Sequence, residues 1–216
     1  KAFDRVSWEY LEQATLAVGL GRRLRKMIGI MYNTEHPPSR HVRANGIRGE
    51  KFNIHSGVPQ GCPASPLIFL IVAEALTRAI EQDTRIHGIT IDGTEYKITQ
   101  FADDTQLLLR GFEMLEKVFP VLKEYEDATA MKANASKFEG VRCGRLKSQP
   151  PPDVAEAKII KWVNPGEYIK ILGIPFWEDF EVDRFWDILY GKMKCQLATW
   201  RNIDWLTIVG RNMLAS

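Results

Sequence analysis

Two adjacent carboxylates, Asp103 and Asp104, interrupt a pair of apolar runs, Ile98–Phe101 and Gln106–Leu109. Such runs around a short polar break read as two strands of a tight hairpin, with both acids at a tip that protrudes from a sheet. Two negative charges this close are expensive to bury, and without a counterion one of them is expected to take up a proton. A magnesium ion offsets that cost, because it binds through one or two carboxylates together with substrate phosphates. An ordinary solvated turn is the competing reading of the same dipeptide. A second candidate is Gly57-Val58-Pro59-Gln60-Gly61-Cys62-Pro63. Glycines let a backbone come close to a ligand and prolines fix the path of the loop. Gln60 between them suits a nucleotide sugar or base, whereas a rigid connector needs no ligand at all.

The elements that must position these groups are legible in outline. Ser7 is placed to cap a helix running to about Val18, and a second helix covers roughly Arg22 to Tyr32. Asn45-Gly46 joins two extended runs, Arg40–Ala44 and Ile47–Ile54, as a type I′ hairpin. Ser65 and Pro66 open a helix to about Gln82 that is apolar nearly all round and is expected to be buried. Asp92-Gly93 marks another hairpin between 88–91 and 95–101. A helix follows over 112–130, then strands at 137–143, 158–163 and 167–174. Two helices, about 182–199 and 206–215, close the chain. Strands alternating with helices, plus hairpins and a helical tail, predict an α+β fold.

Composition narrows the classes. With 216 residues, 45% hydrophobic and 26% charged, the chain is globular and long enough for a core, which excludes wholesale disorder. Its longest apolar run, Leu67–Ala73, is far shorter than the roughly 18 residues of a membrane span. No basic-then-apolar leader opens the sequence, so no secretory signal is expected. Three cysteines, Cys62, Cys143 and Cys195, without a CxxC pair, disfavour a disulfide framework or a zinc site and suggest a reducing compartment. The net charge is only +2, yet residues 51–135 carry eight Lys/Arg against twelve Asp/Glu between basic flanks. That distribution suits metal-bound chemistry beside a polyanion, or a mixed solvated surface.

Taken in order, Lys1-Ala2-Phe3-Asp4-Arg5-Val6-Ser7-Trp8, the 57–66 block, Phe101-Ala102-Asp103-Asp104, Asn134 with Lys137, and Leu172-Gly173-Ile174 resemble the palm of a reverse transcriptase. The wording is most similar to the non-LTR (LINE-type) retrotransposon group, and residues 200–214 resemble the start of its helical thumb. The resemblance implies a ferredoxin-like palm over 1–176, an antiparallel sheet with helices on one face, followed by thumb helices from 177 to 216. It implies RNA-directed DNA polymerase chemistry with two magnesium ions, or manganese in their place, held by Asp103 and Asp104. Phe3 would be the steric gate against a 2′-hydroxyl. Gln60, Gly61 and Ala102 would line the nucleotide. Lys137 would face the leaving pyrophosphate, and Leu172, Gly173 and Ile174 would form a primer grip. Implied partners are an RNA template, a DNA primer, deoxynucleoside triphosphates, the fingers, and an endonuclease domain of a parent polyprotein. No membrane is implied, and the nucleus is the expected location. Arg184, Lys192, Lys194, Arg201 and Arg211 on the last helices are expected to contact nucleic acid phosphates. In this family a further metal-binding aspartate lies five residues ahead of the gate, before Lys1 here. The expectation is therefore a fragment, truncated at both ends and without fingers, that alone extends primers little or not at all. A catalytically dead RNA-binding scaffold and a group II intron maturase-type palm are the alternatives.

Overall fold

A computed structural model describes residues 3–164, 167–176 and 182–201. The chain forms two compact units, one of Lys1–Glu139 with Ser148–Lys161, the other of Gly140–Lys147 with Trp162–Ser216.

The first unit begins with a 3-10 turn, Phe3–Arg5, and helix α1, Trp8–Ala17. Ser7 caps α1 as expected, its hydroxyl accepting from the Tyr10 amide at 3.3 Å. Helix α2 (Arg22–Met31) follows, then strands β1 (Ser39–Ala44) and β2 (Ile47–Asn53). Asn45 and Gly46, with φ of 50° and 81°, make the tight turn between them. Helix α3, Ser65–Gln82, is the longest of this unit. Strands β3 (Ile89–Ile91), β4 (Thr94–Tyr96), β5 (Ile98–Phe101) and β6 (Asp104–Leu107) come next, then helix α4, Leu115–Thr129. Later come β7 (Glu139–Gly140), α5 (Ala155–Lys158) and β8 (Lys161–Trp162). Strands β9 (Ile169–Ile171) and β10 (Ile174–Phe176), and helix α6 (Val182–Arg201), belong to the second unit.

The mixed helix and strand content bears out the α+β class. Among the described residues the strands pair in twos: β1 with β2, β3 with β4, β5 with β6 and β9 with β10 antiparallel, and β7 with β8, where Lys161 N–H donates to Phe138 O and Val163 N–H to Gly140 O in a parallel register. Between β4 and β5, Lys97 departs from the ladder and turns its ammonium onto the carbonyls of Glu81 and Asp83. Hydrophobic burial centres on α3. Ile68, Phe69, Val72 and Ala73 pack with Val6, Trp8, Leu11 and Val58, while Leu76 and Ile80 pack with Ile86, Ile98 and Val118. No helix among the described residues is long and apolar enough to cross a membrane.

Several elements differ from the sequence reading. Ser65 is the first residue of α3 rather than its cap, and its hydroxyl donates to Pro59 O at 2.6 Å, tying the loop to the helix. Leu67 and Leu70 stay 66% and 55% exposed, so α3 is buried along one face rather than all round. The strand expected at 137–143 begins instead with a 3-10 turn, Ala135–Lys137. There the Asn134 side chain accepts from the Ser136 amide, and that local bond competes with extension. The strand expected at 167–174 is a hairpin, because Leu172 and Gly173 take left-handed φ of 51° and 84° between β9 and β10. The helix expected at 206–215 lies outside the described residues.

Candidate active site

Phe3 and the glycine-proline loop are brought together by a set of short bonds. Val58 N–H donates to Phe3 O at 2.7 Å and Gly57 N–H to Val6 O at 2.8 Å. Trp8 Nε1 donates to Gly57 O at 2.9 Å, and Ser56 Oγ to Asp4 O at 3.1 Å. Gly57 is required twice over. Its φ is 83°, and a Cβ there would lie 2.7 Å from the Asp4 backbone. The half-buried Phe3 ring stacks on Phe69 of α3, centroids 4.4 Å apart and planes 12° from parallel. Gln60 and Gly61 are exposed on the loop above. The Ala64 amide beside Cys62 lowers its thiol below the ordinary value; partial burial opposes this, and Ser65 and Arg40 add to the lowering.

The carboxylate hairpin is hung on the same helix. At its base Lys97 Nζ donates to Glu81 O at 3.0 Å and Asp83 O at 2.9 Å, a cation on the negative end of α3. One residue on, Ile98 is buried against Leu76 and Ile80. Two further on, Gln100 Oε1 accepts from Thr77 Oγ1 at 2.7 Å. The base and middle of β5 are thus fixed to the C-terminal half of α3.

The pairing of Phe101 with Asp104 leaves Ala102 and Asp103 as the two turn residues. Ala102 takes a φ of 52°, uncommon for a residue other than glycine and a feature that clusters at functional sites. Thr99 with Gln106, and Gln100 with Thr105, hydrogen bond across the strands and hold the tip's register. Both aspartates are exposed, so the burial cost expected from the sequence does not arise. Neither side chain is engaged in a hydrogen bond or ion pair, and both present free carboxylate oxygens. Among the described residues no cluster of three or more His, Cys, Asp or Glu groups is placed to hold a metal ion. Two free hard-oxygen donors nevertheless match what magnesium takes from a protein when a triphosphate supplies the rest.

Lys137 is exposed at the end of its 3-10 turn, on a segment anchored by the edge of Phe138 against Phe119 of α4. Its ammonium makes no ion pair or hydrogen bond, and no contact joins it to the aspartates. Leu172, Gly173 and Ile174 form the β9–β10 turn and the start of β10 in the second unit, with Leu172 and Ile174 exposed. Lys192 and Lys194 are exposed on α6, whereas Arg211 and the side chains of Arg184 and Arg201 lie outside the described residues. The sequence reading missed Lys97, Thr77 and Gln100, which aim the hairpin. A lone lysine between apolar strand residues was the available signal for Lys97.

Comparison with known proteins identifies the family. Residues 1–176 match the family model described as reverse transcriptase (RNA-dependent DNA polymerase). A curated relative, the transposon TX1 uncharacterized 149 kDa protein of Xenopus laevis, is 27% identical over 187 residues. That match covers 83% of this chain and 14% of the relative's length. The expected resemblance to a retrotransposon reverse transcriptase of the non-LTR group is borne out. That family match, over residues 1–176 of the 216, places the chain in the reverse transcriptase family.

Proposed function

We propose that residues 1–176 are the palm and residues 177–216 the opening of the thumb of a non-LTR retrotransposon polymerase. It joins deoxynucleoside triphosphates to a DNA primer on an RNA template. The observation that carries this is α3 acting as a common rail. Its N-terminal half stacks Phe69 on Phe3, and its C-terminal half holds the base and middle of the hairpin that carries Asp103 and Asp104.

Asp103 and Asp104 would hold two magnesium ions, or manganese, which supply positive charge at the triphosphate and ease loss of the primer hydroxyl proton. Phe3, backed by Phe69, occupies the space under the sugar where a 2′-hydroxyl would fall. Gln60 and Gly61 offer an amide and open backbone to the nucleotide, and Ala102 keeps the tip narrow. As the primer 3′-oxygen bonds the α-phosphorus, pyrophosphate leaves, and Lys137 offsets its charge or hands it a proton. Leu172, Gly173 and Ile174 present a tight turn to the primer. Fingers and an endonuclease domain belong to the parent polyprotein in this reading, and priming on chromosomal DNA places the protein in the nucleus.

The test is equilibrium binding of a fluorescent deoxynucleoside triphosphate to the 216-residue chain, with magnesium and with EDTA. Magnesium-dependent binding that Asp103→Asn weakens at least tenfold supports the reading. Binding indifferent to magnesium, or none at all, leaves a nucleic-acid-binding scaffold without the chemistry.

A further inference from the structure

The β1–β2 hairpin has a two-faced charge pattern that nucleotidyl transfer does not use. Its register pairs His41 with Lys51 and Arg43 with Arg48, so these four side chains emerge on the same face. Arg40, paired with Phe52, together with Val42, Ala44 and Ile47, occupies the other face. Arg48 and Lys51 are three residues apart and would alternate to opposite faces in a regular strand. The register shifts between His41 and Arg43, so that Gly49 and Glu50 lie together opposite Val42. This bulge returns Lys51 to the face of Arg48. It also puts Glu50, the hairpin's one carboxylate, on the far side.

Arg40, on the opposite face, acts electrostatically on Tyr32 and Cys62, while Val42 and Ile47 of that face stay 64% and 75% exposed. All thirteen residues of the two strands are exposed. None of His41, Arg43, Arg48 and Lys51 forms an ion pair among the described residues.

Like charges directly opposite one another destabilise a strand pair, and an uncovered two-stranded ribbon has little stability to spare. Isolated charges suffice to keep a sheet edge from aggregating. They do not require like charges to face each other, nor a bulge that gathers them. A bound polyanion resolves the opposition.

We propose that the face of the β1–β2 hairpin built from Arg43, Arg48, Lys51 and His41 is a binding site for the sugar-phosphate backbone of a nucleic acid strand. Arginine forks match phosphate oxygens in pairs, and a row of phosphates supplies repeated charge along the ribbon. The site shares only the nucleic-acid partner with the polymerase reading. Its test measures affinity rather than nucleotide binding, so either can fail alone.

The experiment titrates the 216-residue chain into labelled single-stranded RNA and DNA 20-mers of mixed sequence, at several sodium chloride concentrations, by fluorescence anisotropy. Arg43→Gln with Arg48→Gln is expected to weaken binding about tenfold or more near 0.1 M salt. It should also reduce the slope of log affinity against log salt by about 1.4, at roughly 0.7 per single-strand phosphate contact. Arg40→Gln, on the other face, should change affinity less than twofold. Arg43→Lys with Arg48→Lys keeps the charge and should keep the wild-type slope. RNA and DNA should lose affinity alike, because the contact is to phosphate. The glutamine pair should melt no lower than wild type without nucleic acid, since it removes a like-charge opposition. Four results would each overturn the proposal: an unchanged slope in the glutamine pair, an equal loss from Arg40→Gln, a loss confined to RNA, or displacement of nucleic acid by polyglutamate at equal charge.

Discussion

Single side chains decide whether the site can form. Gly57 combines a positive φ with an approach to the Asp4 backbone that leaves no room for a Cβ. Gly57→Ala should destabilise the chain by about 2–3 kcal/mol through left-handed strain and the clash. That lowers the thermal midpoint by roughly 4–10 °C, measurable by circular dichroism. Phe3 is different in kind. Its ring is stacked on Phe69, so Phe3→Val should cost a modest 1–2 kcal/mol or so in stability. It should also bring ribonucleotide affinity toward that of deoxynucleotide in the same magnesium binding assay. Unchanged sugar discrimination would leave Phe3 as a core aromatic only. The residues proposed to do chemistry were the most readable in the sequence, because Asp-Asp and glycine-proline runs are rare patterns with specific uses. The residues that aim them were not, since Thr77 and Gln100 are ordinary polar residues until helix and strand are packed together.

At the scale of elements, α3 is held at its C-terminal end by two charged neighbours. The Lys97 ammonium satisfies two of its last carbonyls, and Lys97→Met should cost about 1–3 kcal/mol by leaving them unpaired. The same change should weaken magnesium-dependent triphosphate binding, because the hairpin base is no longer fixed to the helix. Asp83 ends the helix, and hydrogen bonds from the Arg85 side chain and amide hold its carboxyl down at about 2. A carboxyl lowered in the folded state contributes stability above its unfolded value, and that contribution disappears as pH falls through the folded one. The stability difference between wild type and Asp83→Asn should therefore be constant near neutrality and shrink between about pH 4 and pH 2, as urea midpoints would show. Hairpins at Asn45-Gly46 and Asp92-Gly93 were readable because their turns need left-handed backbone that those residues accept. The turn at Leu172-Gly173 was hidden by leucine, which rarely takes such a conformation, inside an apolar run.

For the whole molecule, the order of motifs was legible and the helix that carries their segments in common was not. Sequence spacing separates Phe3, Gln60 and Asp103 by tens of residues, and only the packing of 3-10 turn, loop and hairpin onto one helix relates them. Helix α3 was readable as buried, yet Leu67 and Leu70 are exposed and only one of its faces fills the core. The central claim is that loop and hairpin serve one ligand. A double-mutant cycle of Gln60→Ala and Asp103→Asn on magnesium-dependent deoxynucleoside triphosphate affinity tests it most directly. The account predicts that each change weakens binding and that the two together fall short of additivity by about 0.5 kcal/mol or more. Affinity that is independent of magnesium in the wild type, or strictly additive losses, would contradict it.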